Sequence, residues 1–410
     1  MLKIKGLKRI DWPVEESYQI LFFCFLIAFL PLKDLWLHVL RMFIVLPLKL
    51  DVAIFYVLFG FVIFYSIRKV FSTYHNVSFF LLFFLIVFYT LAVLTPGHPQ
   101  YIYTLGYQLA TSYIVFLYAR SIHEYENLNK LLRYTAPLIS VSMFFLIFVF
   151  SMNEDTTYSQ YTSYIVLPSA IISLGVIFNR FSFLHFSNFV LSVFLILVSG
   201  ARGPLMCAVL FIIVRLALTP SIQRKLKIIL LWAASFSLIA FFFGEKIIGI
   251  ATGIILSKGL STRILTFFIS DEVLVDSGRE LIRKFVLQQI YEHPFFGVGM
   301  GLDRAMINRH IGNTAAEAIG DYPHNIFLEL LMQYGIFIGG LLIVILIRLT
   351  YKALKLAKDY PTSNVISIFM AIGLFPLLFS GSYINAPLFF AFLGFAVATI
   401  HKSRYQIKTS

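Results

Sequence analysis

Charge is scarce in this chain of 410 residues: Asp, Glu, Lys and Arg make up only 13% of it, about half the share a soluble domain carries. A water-soluble fold of this length is therefore excluded. Cysteine is nearly absent too. Cys24 and Cys207 are the two present, both in apolar runs, and no CxxC or Cys/His cluster accompanies them. That rules out a disulfide framework and a structural zinc site and leaves two small buried hydrophobes. No DxD motif occurs anywhere, so the usual acidic ligands for a metal bridging a diphosphate are missing. No GxGxxG within a βαβ pattern is found either, which removes a dinucleotide fold.

What the chain has instead is apolar length. Hydrophobic residues make up 59%, with 45 Phe and 22 Tyr, and mean hydropathy is +0.86. In hydrocarbon every backbone polar group must pair within the protein, leaving helices or closed barrels. The runs are about 18–22 residues rather than alternating stretches of about 10, which selects an all-α polytopic membrane protein. The first run lacks a small-residue cleavage site after it and reads as a span rather than a signal peptide. The net charge of +13 then reflects basic loops against anionic lipid, not nucleic-acid binding.

Twelve spans are expected, at about 18–38, 50–67, 77–95, 101–119, 134–152, 161–179, 184–200, 203–219, 227–244, 325–347, 363–381 and 386–400. Placing Lys3, Lys5, Lys8 and Arg9 in the cytoplasm puts most of the 33 Lys and Arg residues on that side, including Arg348, Lys352, Lys355 and Lys402. Both termini are then cytoplasmic. The chain divides into 1–244 with nine spans, 245–324 as a large outer segment, and 325–410 with three spans and a tail. An outer segment of about 80 residues is long enough to be functional or folded in its own right.

Within that segment Ser277 and Glu280 form a capping-box pattern, followed by Leu281, Ile282, Phe285, Val286 and Ile290 at helical spacing. An amphipathic helix is expected from about Arg279 to just before Pro294, its apolar face laid on the membrane or on the bundle. It is either a surface helix lidding the bundle or part of a site. A cation in its first turn opposes the helix dipole, so Arg279 calls for a partner or a bound anion. The run Pro294-Phe-Phe-Gly-Val-Gly-Met-Gly301 has three alternating glycines, which suit a structural turn or, less specifically, a phosphate-binding loop. The segment closes with Asp321-Tyr-Pro-His324-Asn325, placing His324 at the water–lipid boundary, where imidazole can exchange protons near neutral pH.

Arg202 lies in the turn Ser199-Gly-Ala-Arg-Gly-Pro204 between apolar runs. It either snorkels to the interface or aims a guanidinium at a phosphate. Glu329, inside the tenth span, is an intramembrane carboxylate and hence a functional candidate. Arg283, Arg304 and Arg309, with Lys246, Lys258, Arg263 and Lys284, add positive potential that would draw a polyanionic or diphosphate ligand.

Three segments together, SGARGPL (199–205), SGRELIRKFVLQQIYEHPFFGVGMG (277–301) and YPHNIFLELLMQYGIFIGG (322–340), resemble the O-antigen ligase/polymerase family of the bacterial envelope. The resemblance covers about the C-terminal half. It implies a GT-C-like architecture in the bacterial inner membrane and transfer of a glycan from undecaprenyl diphosphate on the periplasmic face. Carried over by position, the paired arginines fall on Arg202 and Arg279 and the histidine on His324. It implies a metal-free, inverting transfer with no cofactor, His324 as general base and the arginines against the diphosphate. Arg283, Arg309 and Asn325 would contact diphosphate or glycan, and Asp321 and Glu329 are auxiliary acid/base candidates. The Phe/Tyr/Ile-rich composition and the Arg309–Gly320 spacing resemble polymerases, which extend another lipid-linked repeat unit; the ligase alternative delivers to lipid A-core. A chain-length regulator is a further partner this would allow.

Two other classes compete. A flippase for lipid-linked sugars would place charges mid-span in several helices and show internal repeats, and neither is evident. A purely structural subunit would not need Arg202, Arg279 and His324 on one side.

Overall fold

The computed structural model describes residues 14–43, 57, 60, 99–149, 160–199, 203–218, 279–312 and 322–409. The described residues form helices and no strands. Among the described residues, six helices with defined bounds precede the large segment: α1 Val14–Phe43, α2 Pro99–Ser121, α3 Tyr125–Phe144, α4 Gln160–Asn179, α5 Phe183–Val198 and α6 Gly203–Leu218. Two lie within it, α7 Arg279–Glu292 and α8 Leu302–His310. Four follow: α9 Ile326–Tyr334, α10 Gly340–Leu356, α11 Tyr360–Phe369 and α12 Pro387–Thr409. A π-turn, Met370–Leu374, and the short helix Pro376–Phe379 prolong α11.

Among the described residues, four helical stretches are long and apolar enough to cross a membrane: Tyr125–Val149, Tyr161–Asn179, Ile326–Leu356 and Tyr360–Phe379. Shorter apolar helices span Phe183–Val198, Gly203–Leu218 and Pro387–Ser403. The chain is thus a helical membrane protein. The expected spans 77–95 and 227–244, and all of 50–67 but two residues, lie outside the described residues. So do 245–278 and 313–321 of the large segment.

The bundle is held by close helix pairs, chiefly α12 on α2, α4 on α5 and α3 on α4. Lipid offers no hydrophobic drive between helices, so packing and polar contacts must supply it. Phe23, Phe369 and Phe395 interlock, with ring centroids 4.6–5.9 Å apart. Asn188 on α5 reaches Ser169 and Ser173 on α4 at 2.9 and 2.8 Å and meets Ser140 on α3. These buried polar contacts fix helix register where apolar surfaces alone would slide.

The span expected as continuous from 325 to 347 is broken. Tyr334 ends α9, Gly335 takes φ 65° and ψ −173°, and a π-turn, Gly335–Gly339, leads into α10. Only glycine adopts that conformation without strain. A side chain at 335 would also collide with the backbone of Phe295 and Phe296. The 294–301 turn docks into this break. Val298 and Gly299 donate their amides to the carbonyls of Met332 and Gln333 at 2.8 and 3.0 Å, and Ile336 donates to Pro294 at 2.7 Å. Gly297, at φ 69°, lets the turn approach the Gln333 backbone. The glycine-rich run therefore serves as a structural turn that satisfies an interrupted helix.

Candidate functional site

The site is organised by the end of α11. The last carbonyls of a helix have no partners within it and carry the negative end of its dipole. Here Leu378, Phe379 and Ser380 each receive one donor from the segment between the spans. Asn325 Nδ2 donates to Leu378 O at 3.1 Å, Arg279 Nη1 to Phe379 O at 3.3 Å, and the Tyr322 hydroxyl to Ser380 O at 2.9 Å. Arg279 Nη2 also donates to Ser380 Oγ at 3.3 Å. The cation that opposes the α7 dipole thus finds the carbonyl end of another helix.

α7 runs Arg279–Glu292, the range its spacing predicts, and its apolar face goes to protein rather than lipid. Ile282 and Val286 pack with Ile307 of α8 and Met332 of α9. That places Arg279 at the α11 terminus. Asn325 is the N-cap of α9, its Oδ1 accepting from Phe327 N and Leu328 N at 2.9 and 3.3 Å while its amide holds Leu378. Immediately before it, His324 adopts φ 57°, the one described non-glycine residue with positive φ. His, Asn and Asp are the side chains that reach this region most readily. The His324 ring lies 4.4 Å from that of Tyr322.

Next to this hub is a cavity of about 620 Å³. Its walls are apolar side chains of α1 and α4, such as Leu26, Phe29 and Ile165, and its polar rim includes Tyr322, Ser380, Ser382 and Asn385. Arg202 and Asp321 lie outside the described residues. Gly203, next to Arg202 in the chain, abuts the hydroxyl of Tyr164, and Tyr164 lines the cavity. Arg283 and Arg309 are not gathered at the hub. Arg283 is exposed and paired with Glu280 at 2.6 Å, and Arg309 is exposed at the far end of α8.

Beneath the hub lies a network of fully buried polar side chains. Arg304 and Glu329 pair at 3.1 Å with no exposure of either side chain. Arg304 Nη2 also donates to Ser382 Oγ at 2.6 Å, and Ser382 Oγ donates to Glu329 Oε1 at 2.5 Å. The other carboxylate oxygen accepts from Tyr383 N at 3.3 Å. Tyr383 Oη donates to Gln333 Oε1 at 2.6 Å, and Gln333 Nε2 to Asp303 Oδ2 at 2.8 Å. Burial raises the Asp303 carboxyl above its ordinary value, with Arg304 and Gln333 opposing the rise. Burial likewise pushes the Tyr383 phenol well above 10, helped by Tyr334 and Glu329. Above the network the Tyr322 ring covers Arg304, 5.4 Å from guanidinium carbon to centroid.

Sequence reasoning places Arg304 only within a diffuse positive potential and passes over Asp303, Gln333, Ser382 and Tyr383. One signal is available. A carboxylate inside a span must have a buried partner, and the Asp303-Arg304 pair offers the missing cation. Among the described residues, no three His, Cys, Asp or Glu side chains are grouped to hold a metal ion.

No curated protein matches the chain. Residues 187–345 match the family model described as O-antigen ligase, a stretch that includes Arg202, Arg279, His324 and the Arg304–Glu329 pair. Over that stretch the resemblance carried by the three short segments holds: residues 187–345 are similar to the glycosyl-transferring O-antigen ligase family.

Proposed function

We propose that this protein is an O-antigen or polysaccharide polymerase, transferring a glycan from undecaprenyl diphosphate to a sugar hydroxyl of another lipid-linked repeat unit. The observation that carries this reading is the convergence of Arg279, Tyr322 and Asn325 on the α11 terminus at the rim of an apolar cavity. A polyprenyl diphosphate needs that pairing: apolar walls for the first isoprene units and a cationic, donor-rich mouth for the diphosphate. In this reading 245–324 is periplasmic, both termini are cytoplasmic, and the membrane is the bacterial inner membrane.

The reaction breaks the bond between the anomeric carbon and the diphosphate oxygen and forms one to the acceptor oxygen, inverting the centre. The diphosphate leaves with the negative charge, which Arg279 and Arg202 stabilise. Arg279 is suited to this because its bonds to Phe379 O and Ser380 Oγ orient the guanidinium through neutral acceptors. The acceptor hydroxyl gives its proton to His324. The positive-φ turn that sets His324 between Tyr322, which lines the cavity, and the Asn325 cap supports this reading.

His324→Asn is the informative substitution, because Asn tolerates the left-handed backbone that Ala resists. Turnover by purified protein should fall by about 10²–10⁴ with donor binding nearly unchanged. Undiminished turnover in this variant would remove His324 as base.

The second reading is a ligase that delivers the finished chain to lipid A-core, and the description of the matching family model, O-antigen ligase, favours it. A glycan gel of a deletion strain separates the two. Core carrying a single repeat unit marks a lost polymerase. Bare core with accumulated lipid-linked polymer marks a lost ligase and overturns the first reading.

A further inference from the structure

Two exposed phenylalanines on the 294–301 turn have no part in the reaction proposed above. Phe295 is 56% and Phe296 75% exposed. Both rings rest against Phe337, at centroid distances of 5.5 and 6.2 Å. Phe337 belongs to Ile326–Leu356, the most apolar of the four candidate spans at mean hydropathy 2.5. It is itself exposed, as are Ile336, Leu341, Val344 and Ile345 along the same helix. Side chains facing outward from an apolar span face acyl chains. The turn therefore continues a lipid-facing surface.

Its depth can be bounded. The first cation beyond Phe337 in this helix is Arg348, eleven residues on, or about 16 Å along the axis. Adding the 5.5 Å to Phe295 gives at most about 22 Å from the level of Arg348, within a hydrocarbon layer of about 30 Å. Snorkelling of Arg348 moves that level by less than the remaining margin. On the other side, Glu292 and His293 are exposed just before the turn, polar side chains suited to the headgroup region rather than to hydrocarbon.

Backbone in that position must have its polar groups satisfied by protein. Pro294 brings no amide hydrogen. Gly297 donates to His293 O at 3.2 Å, and Val298 and Gly299 donate into the α9 break at 2.8 and 3.0 Å. The turn thus carries apolar outward side chains on a main chain whose Gly297, Val298 and Gly299 amides are satisfied within the protein.

We infer that the 294–297 turn is a membrane anchor whose partner is the bilayer, Phe295 and Phe296 inserting among acyl chains beside Phe337. The anchor fixes the C-terminal end of α7 at the membrane surface, while Arg279 at its other end is tied to the α11 terminus. The inference is independent of which glycan is transferred.

The full chain reconstituted in phosphatidylethanolamine/phosphatidylglycerol vesicles tests it. A nitroxide is attached at F296C, with F337C and K284C as references; Cys24 and Cys207 are 5% and 0% exposed and need not be removed. The label at 296 should collide more with oxygen than with a water-soluble nickel chelate, as at 337, and the label at 284 should show the reverse. Water-like behaviour at 296 overturns the anchor. So does shielding from both reagents, which would mean that another protein surface covers the turn. If the labelled protein does not reconstitute, F296W with brominated lipid gives a second reading. Quenching above that of Trp12, Trp36 and Trp232 supports insertion, and none beyond it overturns the inference.

Discussion

Arg279→Ala should abolish long-chain polysaccharide while leaving the protein in the membrane at its normal level. The two halves of that expectation come from different magnitudes. Structurally the substitution removes two part-buried hydrogen bonds, to Phe379 O and Ser380 Oγ, each worth about 0.5–1.5 kcal/mol. A stability of about 5–15 kcal/mol survives that loss. In the proposed reaction it removes one of the two charges set against the departing diphosphate. Loss of a single preorganised donor costs about 10²–10³ in rate, and a full cation at the leaving group should cost at least as much. Arg279→Lys separates charge from shape: lysine keeps the charge but lacks the fork that spans Phe379 O and Ser380 Oγ, so a partial loss is expected. Arg202→Ala should behave like Arg279→Ala. The checks are a glycan gel beside a membrane immunoblot, then transfer by purified protein. Chains of normal length from Arg279→Ala would remove the diphosphate clamp.

The proposed reaction requires an anion to approach this helix end. The C-terminus of α11 would repel a diphosphate through its exposed carbonyls. Donors from Asn325, Arg279 and Tyr322 occupy the carbonyls of Leu378, Phe379 and Ser380 at this end. In the proposed reaction the segment between the spans would thereby turn a repulsive helix end into an attractive one. A role in holding the helix end and a role in binding substrate are compatible for Arg279.

Much of this is legible along the chain because the signals are local. Span positions follow from apolar length, and α7 from helical spacing that starts at Arg279 and stops before Pro294. The Tyr-Pro-His-Asn junction is visible as the place where polar sequence meets the next span. What stays hidden depends on partners distant in sequence. Glu329 stands out as an intramembrane carboxylate that needs a buried cation, but the chain does not single out Arg304, twenty-five residues earlier, from the other arginines of the segment. The break at Gly335 is hidden as well. Hydropathy is continuous through it, and what makes it tolerable is the 294–301 turn, which supplies replacement hydrogen bonds. That turn has two open readings in the sequence, and only its partners on α9 decide between them.

Those partners make the Arg304–Glu329 pair the second large prediction, opposite in kind to the first. Both side chains are fully buried, so deleting one leaves the other charged and desolvated, at a cost of about 3–5 kcal/mol. That is a large share of a typical total stability, and Ser382 and Tyr383 N lose an acceptor as well. Glu329→Ala and Arg304→Ala should therefore lower the amount of monodisperse protein recovered in detergent, and melting temperature with it, before any question of activity arises. Replacing both with methionine should cost less than the two single losses added together, because no buried charge is left behind. Glu329→Gln is the discriminating case, since Glu329 is also a candidate acid/base. A structural role predicts a lowered melting temperature, with whatever protein folds retaining turnover. A wild-type melting temperature with turnover abolished would instead assign the carboxylate to proton transfer. The geometry argues for the first outcome: Arg304, Ser382 and the Tyr383 amide already occupy both oxygens of a carboxylate with no exposed surface.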